Sequence, residues 1–255
     1  MRNTERCADL KRGAVFALTL ILAATIQTAA SGAIAGPKAV LELFTSQGCS
    51  SCPPADRLLG KLISRDDIIA LSLPVDYWDY LGWKDTLASA EYTRRQQDYR
   101  ASTGAPHVYT PQIVVNGVAH AVGSRLSEIN SAINKSRKKL SNMMVPVRMW
   151  ADKDTIYVEA GAAPSGASKN SATLWLALIT KSKSVAIHRG ENSGRNITYY
   201  NVVRQMTPIG EWNGKKMVIK LPKDHLMHEE SDGCTVLLQK GKAGPIIGAA
   251  ELRNW

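Results

Sequence analysis

Cys49 and Cys52 are separated by two serines, as Cys49-Ser50-Ser51-Cys52. At this spacing two thiols can close a local disulfide, and one of them can open another molecule's disulfide by exchange. The reactive species is the thiolate, so the local electrostatics decide whether the pair does chemistry. Pro53 and Pro54 follow immediately, and Ala55–Ile63 reads as an amphipathic helix. Proline is tolerated in a first helical turn because its missing N–H would have no partner there. Cys49 is therefore expected at a helix N-terminus, where unpaired N–H groups and the helix dipole favour an anion.

The elements that must hold this pair can be read outward from it. Val40–Phe44 is an apolar run that predicts a buried strand, and Thr45–Gly48 is a short loop into the cysteines. A second short β-rich run covers Ile68–Val75, and a helix is expected over 86–102, closing at Gly104. Gln112–Val115 and Val118–Val122 flank Asn116-Gly117, the strongest short hairpin signal. A last helix is expected over 124–137. The order β-α-β-α-β-β-α predicts two parallel strands joined by a helix, then an antiparallel hairpin.

From Pro146 onward the helical pattern disappears. Short apolar runs at 147–150, 155–159, 173–179, 185–187, 197–203, 216–219, 235–239 and 246–252 alternate with turn clusters such as Asn213-Gly214. Seven or eight such strands predict an antiparallel β-sandwich as a second domain. The expected organisation is a segment 1–35, an α/β domain over 36–142 and an all-β domain over 143–255.

The segment 1–35 has a polar stretch with Arg2, Arg6, Lys11 and Arg12, an apolar core over 14–26, and Ala33-Ile34-Ala35 at its end. This is the pattern of a secretory signal peptide, with an uncleaved anchor as the alternative. A periplasmic or secreted protein is expected, with no stable membrane insertion after cleavage. Cys7 would leave with the segment, so Cys49, Cys52 and Cys234 would remain. Three cysteines are too few for a disulfide scaffold in a chain this long. Cys234, in the apolar run Gly233–Leu238, is expected to be a buried, inert thiol.

The chain carries 32 Lys and Arg against 22 Asp and Glu, a formal charge of +10. Segment 1–35 holds four of the basic and two of the acidic residues, which leaves +8. The densest basic run, Lys135–Lys139, falls at a helix end, where it complements the dipole. It lacks interleaved aromatics, so no nucleic-acid partner is expected.

The loop after the second strand, Asp76-Tyr77-Trp78-Asp79-Tyr80-Leu81-Gly82-Trp83, lies at the strand end where α/β proteins bind ligands. Tyr77 and Trp78 are expected to line a substrate groove, and Trp83 to pack structurally. His107 could approach the cysteines as an imidazolium or a third metal ligand, or could simply be solvated. The polar loop Arg189–Asn196 lacks a phosphate-loop lysine; it is either a long hairpin loop or a segment packed near the disulfide.

A Cys-x-x-Cys after the first strand of this element order resembles the thioredoxin superfamily. The resemblance implies a thioredoxin-like first domain, a cis Pro111 beside the disulfide, and a Thr110 offering backbone hydrogen bonds to a bound peptide. It also implies an acid on the first strand beneath Cys52. Glu42 is the candidate, as a proton acceptor with a raised pKa; a strand-end Glu bonded to backbone or an Arg is the alternative. A closer resemblance is to a secreted bacterial family of unknown function. It rests on Glu42–Asp56, Val75–Trp83, Tyr109–Gln112, Gly190–Asn192 and Asn201–Arg204.

The expected function is thiol–disulfide exchange, with Cys49 as nucleophile, Cys52 as resolving thiol, and Thr110, Pro111, Tyr77 and Trp78 shaping the docking surface. The expected partners are cysteine-containing envelope proteins and a redox partner, with no resident cofactor or metal. Two alternatives use the same cysteines: a Cu(I)-binding or metallochaperone protein, and a non-catalytic envelope binding protein with a structural disulfide.

Overall fold

The computed structural model describes residues 36–165, 171–226 and 231–252. The expected signal segment therefore lies outside the described residues. Ala39–Thr45 forms β1 and Pro53–Leu62 forms α1. Ile68–Pro74 is β2, and Ala90–Thr103 is α2, capped by the Ser89 side chain and closed by a left-handed Gly104. Gln112–Val115 (β3) and Ala119–Val122 (β4) make the expected antiparallel hairpin. Asn116 and Gly117 both have positive φ, 49° and 68°, which is why this dipeptide suits the turn. Leu126–Leu140 is α3. β1 pairs with β2 in parallel and with β3 antiparallel.

The second half forms β5 (Val147–Ala151), β6 (Thr155–Ala160), β7 (Ala172–Ala186), β8 (Asn196–Trp212), β9 (Met217–Pro222), β10 (Gly233–Gln239) and β11 (Ile246–Leu252). The expectation of a thioredoxin-like domain followed by a separate antiparallel sandwich is overturned here. The described residues are mostly β, with eleven strands and three α-helices. Eight strands from both halves form one mixed sheet, in the order β11-β10-β7-β8-β2-β1-β3-β4. The other three, β5-β6-β9, form a separate small sheet.

The join is local and physical. β8 meets β2 in parallel, with Ser72 opposite Val202. Asn201 takes a left-handed φ of 45° there, and its amide donates to the Ala70 carbonyl on β2 at 3.0 Å. Tyr92 of α2 donates to the Val203 carbonyl at 2.9 Å. Gly60 of α1 lets the Tyr200 ring lie against the helix; a side-chain carbon at Gly60 would stand 2.5 Å from that ring.

Alternation along β1 separates two cores. Leu41 and Leu43 pack with Ala55 and Leu59 of α1 and Ile129 of α3. Val40 and Phe44 pack with Tyr92 and Tyr99 of α2, and with Ala177, Ile179 and Leu237 of the C-terminal strands. A third core joins the small sheet to β7 and β10, through Ile156, Val158, Leu174, Leu176 and Val236. Cys234 lies in it, fully buried, and burial pushes its thiol up to about 12, as expected of an inert cysteine.

Candidate functional site

Cys49 and Cys52 form a disulfide, with Cα atoms 5.4 Å apart. Cys52 is the N-cap residue of α1, and Pro53 and Pro54 occupy the first helical positions. The two prolines bring no N–H, and the next two, of Ala55 and Asp56, both donate to the Cys52 carbonyl at 2.8 and 3.1 Å. The first turn of α1 is thus poorer in free N–H groups than the sequence implies. Cys49 Sγ lies within hydrogen-bond reach of the Ser51 hydroxyl, at 3.4 Å. The disulfide is closed to solvent: Cys49 is 2% exposed and Cys52 0%, while Ser50 and Ser51 between them are exposed.

The loop that delivers Cys49 is held on several sides. Asp85 accepts from the Gln47 N–H at 2.7 Å and from the Leu87 N–H at 2.8 Å. The Gln47 side-chain oxygen accepts from the Trp83 indole at 2.8 Å, and its amide donates to Thr86 at 3.1 Å. Asn192 reaches in from the β7–β8 connection, and its amide donates to the Gln47 and Cys49 carbonyls, at 2.9 Å each. Glu191 accepts from the Ser50 N–H at 3.3 Å. The polar loop Arg189–Asn196 is therefore packed against the cysteine loop.

Of the residues singled out in the sequence, Trp78, Thr110 and Pro111 gather here. The Trp78 indole donates to the Thr110 hydroxyl at 2.8 Å. A side-chain carbon at Gly48 would stand 3.0 Å from Trp78 Cβ, so this aromatic abuts the residue before Cys49. Thr110–Pro111 is a cis peptide. Gly123 sits between Pro111 and the first turn of α1; a side-chain carbon there would lie 3.1 Å from both Pro111 Cβ and Ala55 Cβ. Tyr77 donates to Gln96 of α2 at 3.2 Å, and Gln96 in turn donates to the Tyr109 carbonyl at 2.8 Å. Tyr80 is 77% exposed and stacks on Trp78 at 6.4 Å.

Glu42 is elsewhere. It is fully buried on the α2 face of β1, where it accepts from Arg95 Nε at 2.6 Å and from the Tyr99 hydroxyl. Arg95 also donates to Gln239 of β10 at 3.0 Å. Its strand neighbours Leu41 and Leu43 face α1, so Glu42 points away from the helix that carries Cys52. This is the Arg-bonded alternative, and it does not bring Glu42 to the disulfide.

The acid nearest the pair in the chain is Asp56, one helical turn after Cys52 and 2% exposed. Its Oδ1 accepts from the Thr45 hydroxyl at 2.8 Å, and its Oδ2 has no hydrogen-bond partner among the described residues. Burial pushes its carboxyl up to about 8; the Thr45 bond opposes this and Asp85 adds to it. Asp85 itself is raised to about 6, again mainly by burial. In the sequence Asp56 passes for a first-turn acid serving the helix dipole. The signal is that Cys52, Asp56, Leu59 and Ile63 share one stripe of the helix. His107 is exposed, and its ring contacts Tyr109 at 6.5 Å. Among the described residues no three His, Cys, Asp or Glu side chains are grouped to hold a metal ion.

A family model described as a protein of unknown function (DUF1223) matches residues 40–239, a span that takes in the cysteine loop and the Arg189–Asn196 segment. The crystal structure of a protein from Agrobacterium tumefaciens is 36% identical, with a TM-score of 0.75 over 85% of this chain and 94% of that one. HBP35 of Porphyromonas gingivalis is 12% identical, with a TM-score of 0.54 over 86% of this chain and 76% of that one, a likeness of fold alone. No curated protein matches the chain. On the family match and the Agrobacterium relative, the chain belongs to the DUF1223 family.

Proposed function

We propose that the protein is an exported thiol–disulfide oxidoreductase that works through Cys49 and Cys52 on cysteine-containing envelope proteins, in the periplasm or outside the cell. The observation that carries this reading is Asp56, a buried carboxyl with an unpartnered oxygen one helical turn behind Cys52. Burying such a group costs stability, which a bridge that only staples a loop has no reason to incur. Acids perturbed in this way gather where protons move. A carboxyl raised to about 8 is matched to a thiol, so a proton passes between them at little cost.

In the reduced protein the Cys49 thiolate attacks one sulfur of a substrate disulfide. The substrate S–S bond breaks, and its second sulfur leaves as a thiolate and takes a proton from water. Cys52 gives its proton to the Asp56 carboxylate, and its sulfur attacks Cys49. The bond from Cys49 to the substrate breaks, the first substrate sulfur leaves with the electron pair, and the protein disulfide remains. A dithiol donor returns the two electrons; run in reverse, the same steps pass the disulfide of the oxidised protein to a substrate dithiol. Trp78 borders the cysteine loop and Thr110 holds its indole; with Pro111 they shape the docking surface of this reading, and Tyr77 braces the aromatic loop against α2. Because Cys49 is 2% exposed in the disulfide state, attack on it requires Trp78 or the Arg189–Asn196 segment to move aside.

That burial also favours a second reading, a static disulfide in an envelope binding protein. Trapping separates the two. With Cys52→Ser, the exchange reading expects Cys49 to accumulate mixed disulfides with envelope proteins. The static reading expects none, and a pair that resists a glutathione buffer.

A further inference from the structure

The β7–β8 connection is a strap closed by its own hydrogen bonds. Gly190 and Gly194 take left-handed φ values of 73° and 79°. The strap closes on itself through Ile187 N–H to Arg195 O at 2.9 Å and Gly194 N–H to Ile187 O at 2.8 Å. Arg195 donates to Asn192 Oδ1 at 3.0 Å, and this orients the Asn192 amide toward the Gln47 and Cys49 carbonyls. Trp83 meets His188 of the strap edge to face, with centroids 5.9 Å apart. The strap thus holds Glu191 in one place, with its Oε2 on the Ser50 N–H at 3.3 Å.

That N–H belongs to the residue next to the nucleophile. With Pro53 and Pro54 supplying no N–H to the helix start, it is one of few backbone donors available to an anion at Cys49. A carboxylate on it competes with the thiolate and repels it. The disulfide carries no charge and feels neither effect.

We propose that Glu191 is a positioning residue that biases the Cys49–Cys52 pair toward its disulfide form, so that the reduced protein is an electron donor to peptide disulfides. The inference rests on the exchange reading above and adds its direction. Electrons leave the protein more readily because the strap destabilises the state that holds them. The rest of the strap supports the geometry: removing the carboxylate charge leaves the Asn192 and Arg195 bonds in place.

The test uses the full chain with Glu191→Gln, which keeps an acceptor for the Ser50 N–H and removes the charge. The glutathione equilibrium of the pair and the titration of Cys49, followed by thiolate absorbance, are measured at low and high salt. Glu191→Gln shifts the equilibrium toward the dithiol by about two- to fivefold and lets Cys49 ionise about half a pH unit lower, as befits an exposed charge. Both differences shrink on going from about 0.05 to about 1 M salt. A merely structural Glu191 would lower the unfolding midpoint and leave these readouts unmoved. If the wild-type pair exchanges with glutathione and Glu191→Gln is indistinguishable from it, this inference fails and the exchange reading stands. If the wild-type pair is inert to glutathione, both fail.

Discussion

The Thr45 hydroxyl donates to the Asp56 carboxylate at 2.8 Å, tying the end of β1 to the first turn of α1 inside the core. It is the only hydrogen bond of the Asp56 side chain among the described residues, and it leaves the second oxygen bare. The chemistry proposed for Cys52 depends on this half-satisfied acid.

Asp56 makes stability depend on pH. Its pKa is raised from 3.8 to about 8 on folding, so the folded protein binds the proton more tightly than the unfolded chain. The stabilisation is complete below about pH 4 and is lost as the pH rises toward 8. Asp85, raised to about 6, adds a loss of the same sign that ends earlier. Urea unfolding of the oxidised protein is expected to give a falling stability from pH 4 to pH 8. Asp56→Asn, which keeps an acceptor for Thr45, is expected to flatten the part between pH 6 and pH 8. An unchanged slope would remove Asp56 from the account.

The same variant acts on kinetics. Asp56→Asn is expected to leave formation of the Cys49 mixed disulfide intact and to slow its resolution by Cys52 about tenfold or more near neutral pH, within the range for a lost proton acceptor. Rapid quenching and separation of the mixed disulfide measures the two steps.

Glu42 answers to a different test. Its ion pair with Arg95 joins β1 to α2 and, through Gln239, to β10. Glu42→Gln leaves Arg95 buried and uncompensated, at a cost of about 3–5 kcal/mol. Chemical unfolding should read that loss. The ionisation of Cys49 and the rate of resolution, measured well below the unfolding transition, are expected to stay within a factor of two.

Trp78→Phe deletes the indole donor to Thr110 and keeps most of the ring. A stability loss of about 1 kcal/mol is expected, the net value of one hydrogen bond. For a peptide disulfide, KM is expected to rise severalfold with kcat nearly unchanged. A fall in kcat at constant KM would assign Trp78 to the chemistry instead of docking.

Local features were legible in the sequence, and distant ones were not. The strand–loop–Cys-x-x-Cys–helix order and the Asn116-Gly117 hairpin depend on neighbouring residues, and both stand as read. The strands of the second half were also legible as strands, but their partners were not. β7 runs 15 residues and β8 runs 17, with register shifts at Leu174/Trp175 and Leu178/Ile179 that break the period-two pattern. The polar stretch Thr180–Ser184 separates the apolar runs at 173–179 and 185–187, so they read as two strands instead of one. β10 is buried along its whole length, the mark of an interior strand, yet nothing local says which sheet it enters. The left-handed Asn201 that turns β8 onto β2 looks like any polar residue within a strand. Glu42 and Arg95 are 53 positions apart, so their pairing left only the costly acid visible.

The reduction potential of the Cys49–Cys52 pair, measured against glutathione on the full chain, tests the central claim most directly. An exchange-active pair with the bias set by Glu191 should titrate at about −200 to −270 mV, toward the reducing end of the range for redox proteins. A potential below about −300 mV, the region of structural disulfides, would contradict the account and leave the pair as a static bridge.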